Sequence, residues 1–121
     1  MSNATMRPDD MLPLTPAVFH ILLALADGEK HGYSIMQEVT KITQGAFQMG
    51  PGTLYGTIKR LLEAGLIEET AERPDPSLDD ERRRYYRLTA FGQRVAQAEA
   101  ERLERLLDVA QSKRLMGSAP S

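Results

Sequence analysis

"MGPGTLYGTIKRLLEAGLI", Met49–Ile67, opens on Gly50, Pro51 and Gly52 and then settles into a helical period. Leu54, Ile58, Leu61 and Leu62 recur at i, i+4, i+7 and i+8, the stripe of an amphipathic helix that buries one face. Pro51 suits the first turn, where its missing N–H has no helical partner to lose, and Gly65 ends the run. Opposite the stripe lie Gly52, Thr53, Gly56, Lys59, Arg60 and Glu63, with Tyr55 at the shoulder. A glycine inside a helix costs roughly 0.5–1 kcal/mol relative to alanine, so this bare edge calls for compensation. Close approach of a nucleic-acid backbone supplies it, because helix N-terminal amides and the positive dipole end favour phosphate. A solvated face with an incidental glycine is the other reading, and the segment alone does not separate the two.

Upstream, Thr15 and Pro16 combine a hydroxyl N-cap with a proline at the first helical position. Val18, Phe19, Ile21, Leu22, Leu23 and Leu25 are apolar almost all round, which predicts a buried helix closed by Gly28. "HGYSIMQEVTKIT", His31–Thr43, is a second helix with Ile35, Met36, Val39 and Ile42 inward and a break at Gly45. Downstream the period falls to two. "LIEETAE" and "RRRYYRLT" read as strands, with Ile67, Tyr86 and Leu88 inward, and the proline-rich, acidic "RPDPSLDDE" between them is a loop. Thr89 caps a last helix, roughly 40 Å long if it runs to Leu115.

Helix, helix, helix, hairpin, long helix is the order of a winged helix-turn-helix, whose natural ligand is double-stranded DNA. The chain is therefore expected to be mainly α with a small β-hairpin wing. Residues 12–89 form the winged helix-turn-helix, 90–115 a C-terminal dimerisation helix, and 1–11 and 116–121 flexible tails. "MSNA" at the start reads as an expression leader and is set aside.

A length of 121 residues suits one domain. No run of about 18 apolar residues spans a membrane, and no signal-peptide pattern is seen. The absence of Cys excludes disulfides, thiol catalysis and Cys-based zinc sites, and fits a reducing, cytoplasmic setting. Two histidines without a local acidic cluster make no metal site, and no cofactor is expected. No nucleophile–base pair appears, and Gly50-Pro51-Gly52 lacks the spacing of a nucleotide-binding loop, so an enzyme is not expected. The net charge of −2 argues mildly against a nucleic-acid ligand. Distribution matters more than the sum: Lys59 and Arg60 form one basic patch, and Arg82, Arg83, Arg84 and Arg87 another.

"HGYSI", "GPGTLYGTIKRLLEAGLI" and "YRLTAFG" occur in an order and spacing that resemble the PadR-like family of bacterial transcriptional regulators. The resemblance spans about Leu12 to Leu115, and the recognition-helix block is its most specific part. Gly56 departs from the pattern, since many relatives carry proline after the tyrosine; base preference is left open by it. The single C-terminal helix resembles the short subfamily, and the resemblance implies a winged-helix homodimer that represses a nearby operon by binding an inverted-repeat operator. Carried over by position, Tyr33 touches the phosphate backbone, while Thr53, Tyr55, Lys59 and Arg60 lie in or beside the major groove; Gly52 and Gly56 are DNA-binding candidates from the bare edge of the helix alone. Packing of Tyr33 between the first two helices is the competing role. His31 and Gly32 read as a helix start, and His20 as a satisfied core or interface histidine.

Strand alternation puts Arg83, Tyr85 and Arg87 on one face and Arg84, Tyr86 and Leu88 on the other. Arg83 and Arg84 are candidates for DNA phosphates or a minor groove; pairing with Asp79, Asp80 and Glu81 in solvent is the alternative. Along the last helix, Val95, Ala96, Ala100, Leu103, Leu106, Leu107 and Ala110 form a stripe too broad to leave wet. Val95, Glu99, Leu103, Leu106, Leu107 and Ala110 are the expected dimer interface, with Glu99 paired to Arg102 or to an arginine of the partner chain. The resemblance also allows a small aromatic effector between the last helices, in a cavity lined by Phe91, Val95 and Leu103. A winged-helix protein–protein module without DNA binding is the alternative function, and the acidic balance is its support.

Overall fold

A hydroxyl and a proline set where the first helix begins. In the computed structural model, which describes residues 6–70 and 84–116, the Thr15 hydroxyl accepts the Val18 amide at 3.3 Å and Pro16 opens α1 (Pro16–Leu25). Ile21, Leu22, Ala24 and Leu25 are buried, while Leu23 faces outward, 37% exposed. Next come β1 (Lys30–His31) and α2 (Gly32–Ile42), whose N-cap is His31: its Nδ1 accepts the Ser34 amide at 3.3 Å. Ile35 and Val39 are buried. Ile42, expected inward, is 39% exposed, because it lies in the last turn beyond Val39, where α2 leaves the core.

Gly45, at φ +83°, turns the chain towards α3 (Pro51–Glu63). Leu54, Thr57, Ile58 and Leu61 are its buried stripe, and the Thr57 hydroxyl is satisfied by donating to the Thr53 carbonyl at 2.8 Å. Each fully buried Leu or Ile contributes about 1.5–3 kcal/mol, and Leu22, Ile35 and Leu54 bring one such residue from each of α1, α2 and α3 to the common core. Gly65, at φ +76°, ends the helix unit.

β2 (Ile67–Glu69) and β3 (Tyr85–Leu88) pair antiparallel, with Ile67 opposite Leu88 and Glu68 opposite Arg87. The expected hairpin gains a third strand: β1 pairs with the other edge of β3, His31 opposite Tyr85, giving the order β1-β3-β2. Ile67 and Tyr86 are buried beneath this sheet and Leu88 is half-buried. The expected loop at 73–81 lies outside the described residues, as do Arg82 and Arg83.

Thr89 then caps α4 (Ala90–Ser112): its hydroxyl accepts the Gly92 amide at 2.9 Å and donates to the Gly65 carbonyl at 2.6 Å. A Cβ at Gly92 would stand 2.8 Å from the Leu66 carbonyl carbon, so only glycine lets α4 lie this close to the α3–β2 turn. Residues 8–11, assigned from the sequence to a tail, form a single 3-10 turn beside α4, with Met11 and Leu12 packed on the core.

Candidate nucleic-acid interface

The N-terminus of α3 differs from those of the other α-helices. Thr15, His31 and Thr89 cap α1, α2 and α4 with side chains, whereas Gly50 at the N-cap of α3 offers none. Glycine at this position leaves the first-turn amides of Gly52 and Thr53 without a side-chain acceptor, at the positive end of the helix dipole. The face that follows is bare: a Cβ at either Gly52 or Gly56 would meet nothing within 4 Å. Thr53, Lys59 and Arg60 are exposed on the same helix. Lys59 has no hydrogen-bond or ion-pair partner among the described residues, while Arg60 donates from Nη2 to the Thr57 hydroxyl at 3.3 Å.

Tyr55 is 45% exposed, with its ring end against the N-terminus of α2: a Cβ on Gly32 would fall 2.8 Å from Cζ and 2.9 Å from Cε1. Tyr33, the next residue along, is 56% exposed, more than a wedge between two helices leaves free. Pairing of β1 with β3 brings the wing to the same place, where the His31 and Tyr85 rings meet edge to face at 5.5 Å. Tyr33, Tyr55 and the start of β3 at Tyr85 thus gather around the beginning of α2.

The wing cations have acidic partners that the sequence reading missed. Arg84 pairs with Glu69 at 3.4 Å and Arg87 with Glu68 at 2.7 Å, all four side chains substantially exposed. Strand register is the signal that finds them, because 68 and 87 are direct cross-strand neighbours. Such exposed pairs are worth about 0–1 kcal/mol and yield to a stronger anion. Arg83, and the acids Asp79, Asp80 and Glu81 weighed as its partners, lie outside the described residues. Burial, and then the charge of Glu69, push the Tyr86 phenol up from its ordinary value.

The stripe on α4 divides in two. Val95 is fully buried and Glu99 almost so within this one chain, so neither has surface left for a partner, and both belong to the core beneath α4. Glu99 accepts from Arg102 Nε at 2.7 Å and Nη2 at 2.9 Å, and from the Leu14 amide at 3.3 Å. The Arg102 guanidinium holds the Glu99 carboxyl below its ordinary range, and Glu99 in turn raises Arg102. Further along, Leu103 and Ala110 are half-buried, while Leu106 and Leu107 are 53% and 50% exposed. Val109, absent from the expected interface, is exposed beside them.

Of the residues named for an effector cavity, Val95 is closed off within this one chain and Phe91 is not. Phe91 lines an open cleft with Met6, Met11, Glu63, Ala64, Gly65 and Arg94, whereas Val95 is sealed in the core. His20 is not satisfied: its buried Nδ1 has no partner among the described residues, and the ring lies 4.8 Å from that of Phe47. No helix among the described residues is long and apolar enough to cross a membrane.

Residues 21–98 match the Transcriptional regulator PadR-like family. A protein of Mycobacterium tuberculosis named as a transcriptional regulator is 34% identical over 87 residues, covering 72% of this chain and 75% of that one. A protein carried by a transposon of Streptomyces fradiae is 34% identical over 86 residues, 71% of this chain. The chain spans only 22% of the length of that relative. The crystal structure of a PadR family transcription regulator from a hypervirulent Clostridium difficile matches with a TM-score of 0.65 at 21% identity. That match covers 81% of this chain and 97% of the other, and at this identity it speaks for the fold alone.

Proposed function

Because the chain belongs to the PadR-like family of transcriptional regulators, we propose that it acts as a homodimeric repressor that binds an inverted-repeat operator in double-stranded DNA. In this reading residues 12–89 are the DNA-binding unit. The observation that carries it is the outward side of α3, where an uncapped first turn leads into a face without Cβ atoms at Gly52 and Gly56. Thr53 stands where a side chain reads a base edge, and Lys59, unpaired among the described residues, where one meets a phosphate. Arg60 flanks the groove, Tyr33 meets the phosphate backbone, and Arg83 and Arg84 serve the wing.

The homodimer rests on the far half of α4. Leu103, Leu106, Leu107 and Ala110 continue the stripe that Val95 and Glu99 begin, but their own chain leaves the leucines at 106 and 107 half in water. A second copy of α4 covers such a stripe. A small aromatic effector that loosens this pairing completes the proposed cycle.

Gel shift with the upstream region of its own gene, across a salt series, tests the reading. Binding that weakens steeply with salt, with two chains per site, supports it. Absence of any shift at low salt favours the alternative, a winged-helix protein–protein module, for which the net charge of −2 speaks.

A further inference from the structure

Tyr55 stands on the recognition helix, yet its ring end is turned away from the open glycine face and onto Gly32. Gly32 is buried and opens α2 with ordinary negative φ, so no left-handed backbone demands glycine there. Space does: a Cβ would lie 2.8 Å from Tyr55 Cζ, closer than carbon atoms pack. The residue before Gly32 is His31, which is strand β1, helix cap and ring partner of Tyr85 together. Across the same ladder Lys30 faces Tyr86, the buried inward residue of the wing.

We propose that Tyr55 is a positioning residue: seated on Gly32, it registers the recognition helix against the wing through β1, and its hydroxyl is not a DNA contact. The chain of contact runs from β3 through His31 to Gly32 and from there to α3. Loss of the seat removes the link that β1 makes between α3 and the wing, leaving the α3–β2 turn and the shared core to hold their angle, and a small change of that angle misplaces phosphate contacts on both. The bare Gly32 surface is thus the complement of the Tyr55 ring, and neither residue works without the other.

The role in affinity rests on the DNA-binding reading above, so the test has an arm that needs no DNA. Four variants serve: Tyr55→Phe, Tyr55→Ala, Gly32→Ala, and Gly32→Ala combined with Tyr55→Ala. Alanine is a better helix residue than glycine, and the Tyr55 ring can swing aside without moving backbone, so Gly32→Ala keeps its fold. Amide exchange in the β1–β3 ladder is expected to quicken at least 10-fold in Tyr55→Ala and in Gly32→Ala, and to stay at wild-type rates in Tyr55→Phe. Operator affinity is expected to fall roughly 10- to 100-fold in both alanine variants, with a flatter salt slope because misplaced phosphate contacts are lost. Tyr55→Phe should remain within about threefold of wild type, and Gly32→Ala should add nothing further to Tyr55→Ala.

Unchanged ladder exchange in Gly32→Ala overturns the proposal whether or not the protein binds DNA. So does a Tyr55→Phe variant that loses affinity as far as Tyr55→Ala and flattens the salt slope, since the hydroxyl is then a phosphate contact. Wild-type protein that shifts no DNA, with exchange as expected, overturns the operator reading and the affinity role but leaves the Tyr55–Gly32 seat established as a joint of the fold.

Discussion

Glu99, buried on α4, accepts two hydrogen bonds from Arg102 on the next turn and a third from the backbone amide of Leu14. One carboxylate therefore ties the long helix to the segment that leads into α1. Charge-assisted bonds of this kind are strong, and removing the charge leaves Arg102, about a third exposed, to find solvent while Glu99's own site stays closed.

A pH dependence follows from the sign of the shift. Arg102 depresses the folded pKa of Glu99, so its contribution is present in full above the ordinary value of 4.5 and is lost as pH falls through the folded value. Glu99→Gln is expected to cost on the order of 1–3 kcal/mol at neutral pH. Its thermal midpoint should also decline less steeply than wild type between about pH 5 and pH 3. Parallel acid limbs in the two proteins would show that Glu99 contributes nothing to acid sensitivity.

Two glycines on different helices should respond to alanine in opposite ways. Gly92→Ala presses a methyl group against the Leu66 backbone, which cannot swing aside, and a loss of about 1–3 kcal/mol or more is expected in urea titration. Gly56→Ala points into open space and should stabilise the chain by roughly 0.5–1 kcal/mol. If the face at Gly56 meets DNA closely, the same variant binds operator more weakly although it is the more stable protein. A Gly56→Ala protein with unchanged affinity would make that face a solvated one.

How much of this was legible in the sequence depends on how far each signal reaches. Thr15-Pro16 and the Leu54, Ile58, Leu61 spacing specify α1 and α3 locally, and both helices stand where those residues put them. β1 has two residues, too few to show any period, and its pairing with β3 is a tertiary event. A helical wheel records that Val95 and Glu99 share a stripe with Leu106, but not which chain covers each part. The answer depends on where Leu14 and α1 pass beneath α4. The resemblance puts Tyr55 in or beside the groove and the helical wheel puts it only at the shoulder; the missing Cβ of Gly32 discloses where its ring rests.

Charge and readout on α3 should separate by mutation. Lys59 has no partner among the described residues, so Lys59→Ala costs the fold little. It should weaken binding to all sequences and flatten the salt slope by about 0.9 per lost phosphate contact, close to 2 for a dimer. Thr53→Ala should instead alter the ranking of operator variants, by about 1–3 kcal/mol at the base it reads, with the slope preserved. Competition gel shifts over a salt series measure both.

Dimerisation is tested most cleanly at Leu106, which is already 53% exposed in the single chain, so that a charge there spares the monomer. Leu106→Glu places a carboxylate in each half of the proposed interface, at a cost of several kcal/mol. Sedimentation should find monomer at micromolar concentration with unchanged helicity. Operator affinity should fall roughly 10²–10⁴-fold, since the second half-site is no longer presented at high effective concentration. A variant that remains dimeric would place the interface elsewhere on the chain.

Footprinting of the wild-type protein on its own upstream region tests the central claim most directly. Two protected half-sites related by dyad symmetry are predicted, their centres about 34 Å apart on one face of the duplex, occupied together by two chains. Protection of a single half-site by one chain, or no protection at any salt concentration, would contradict the account.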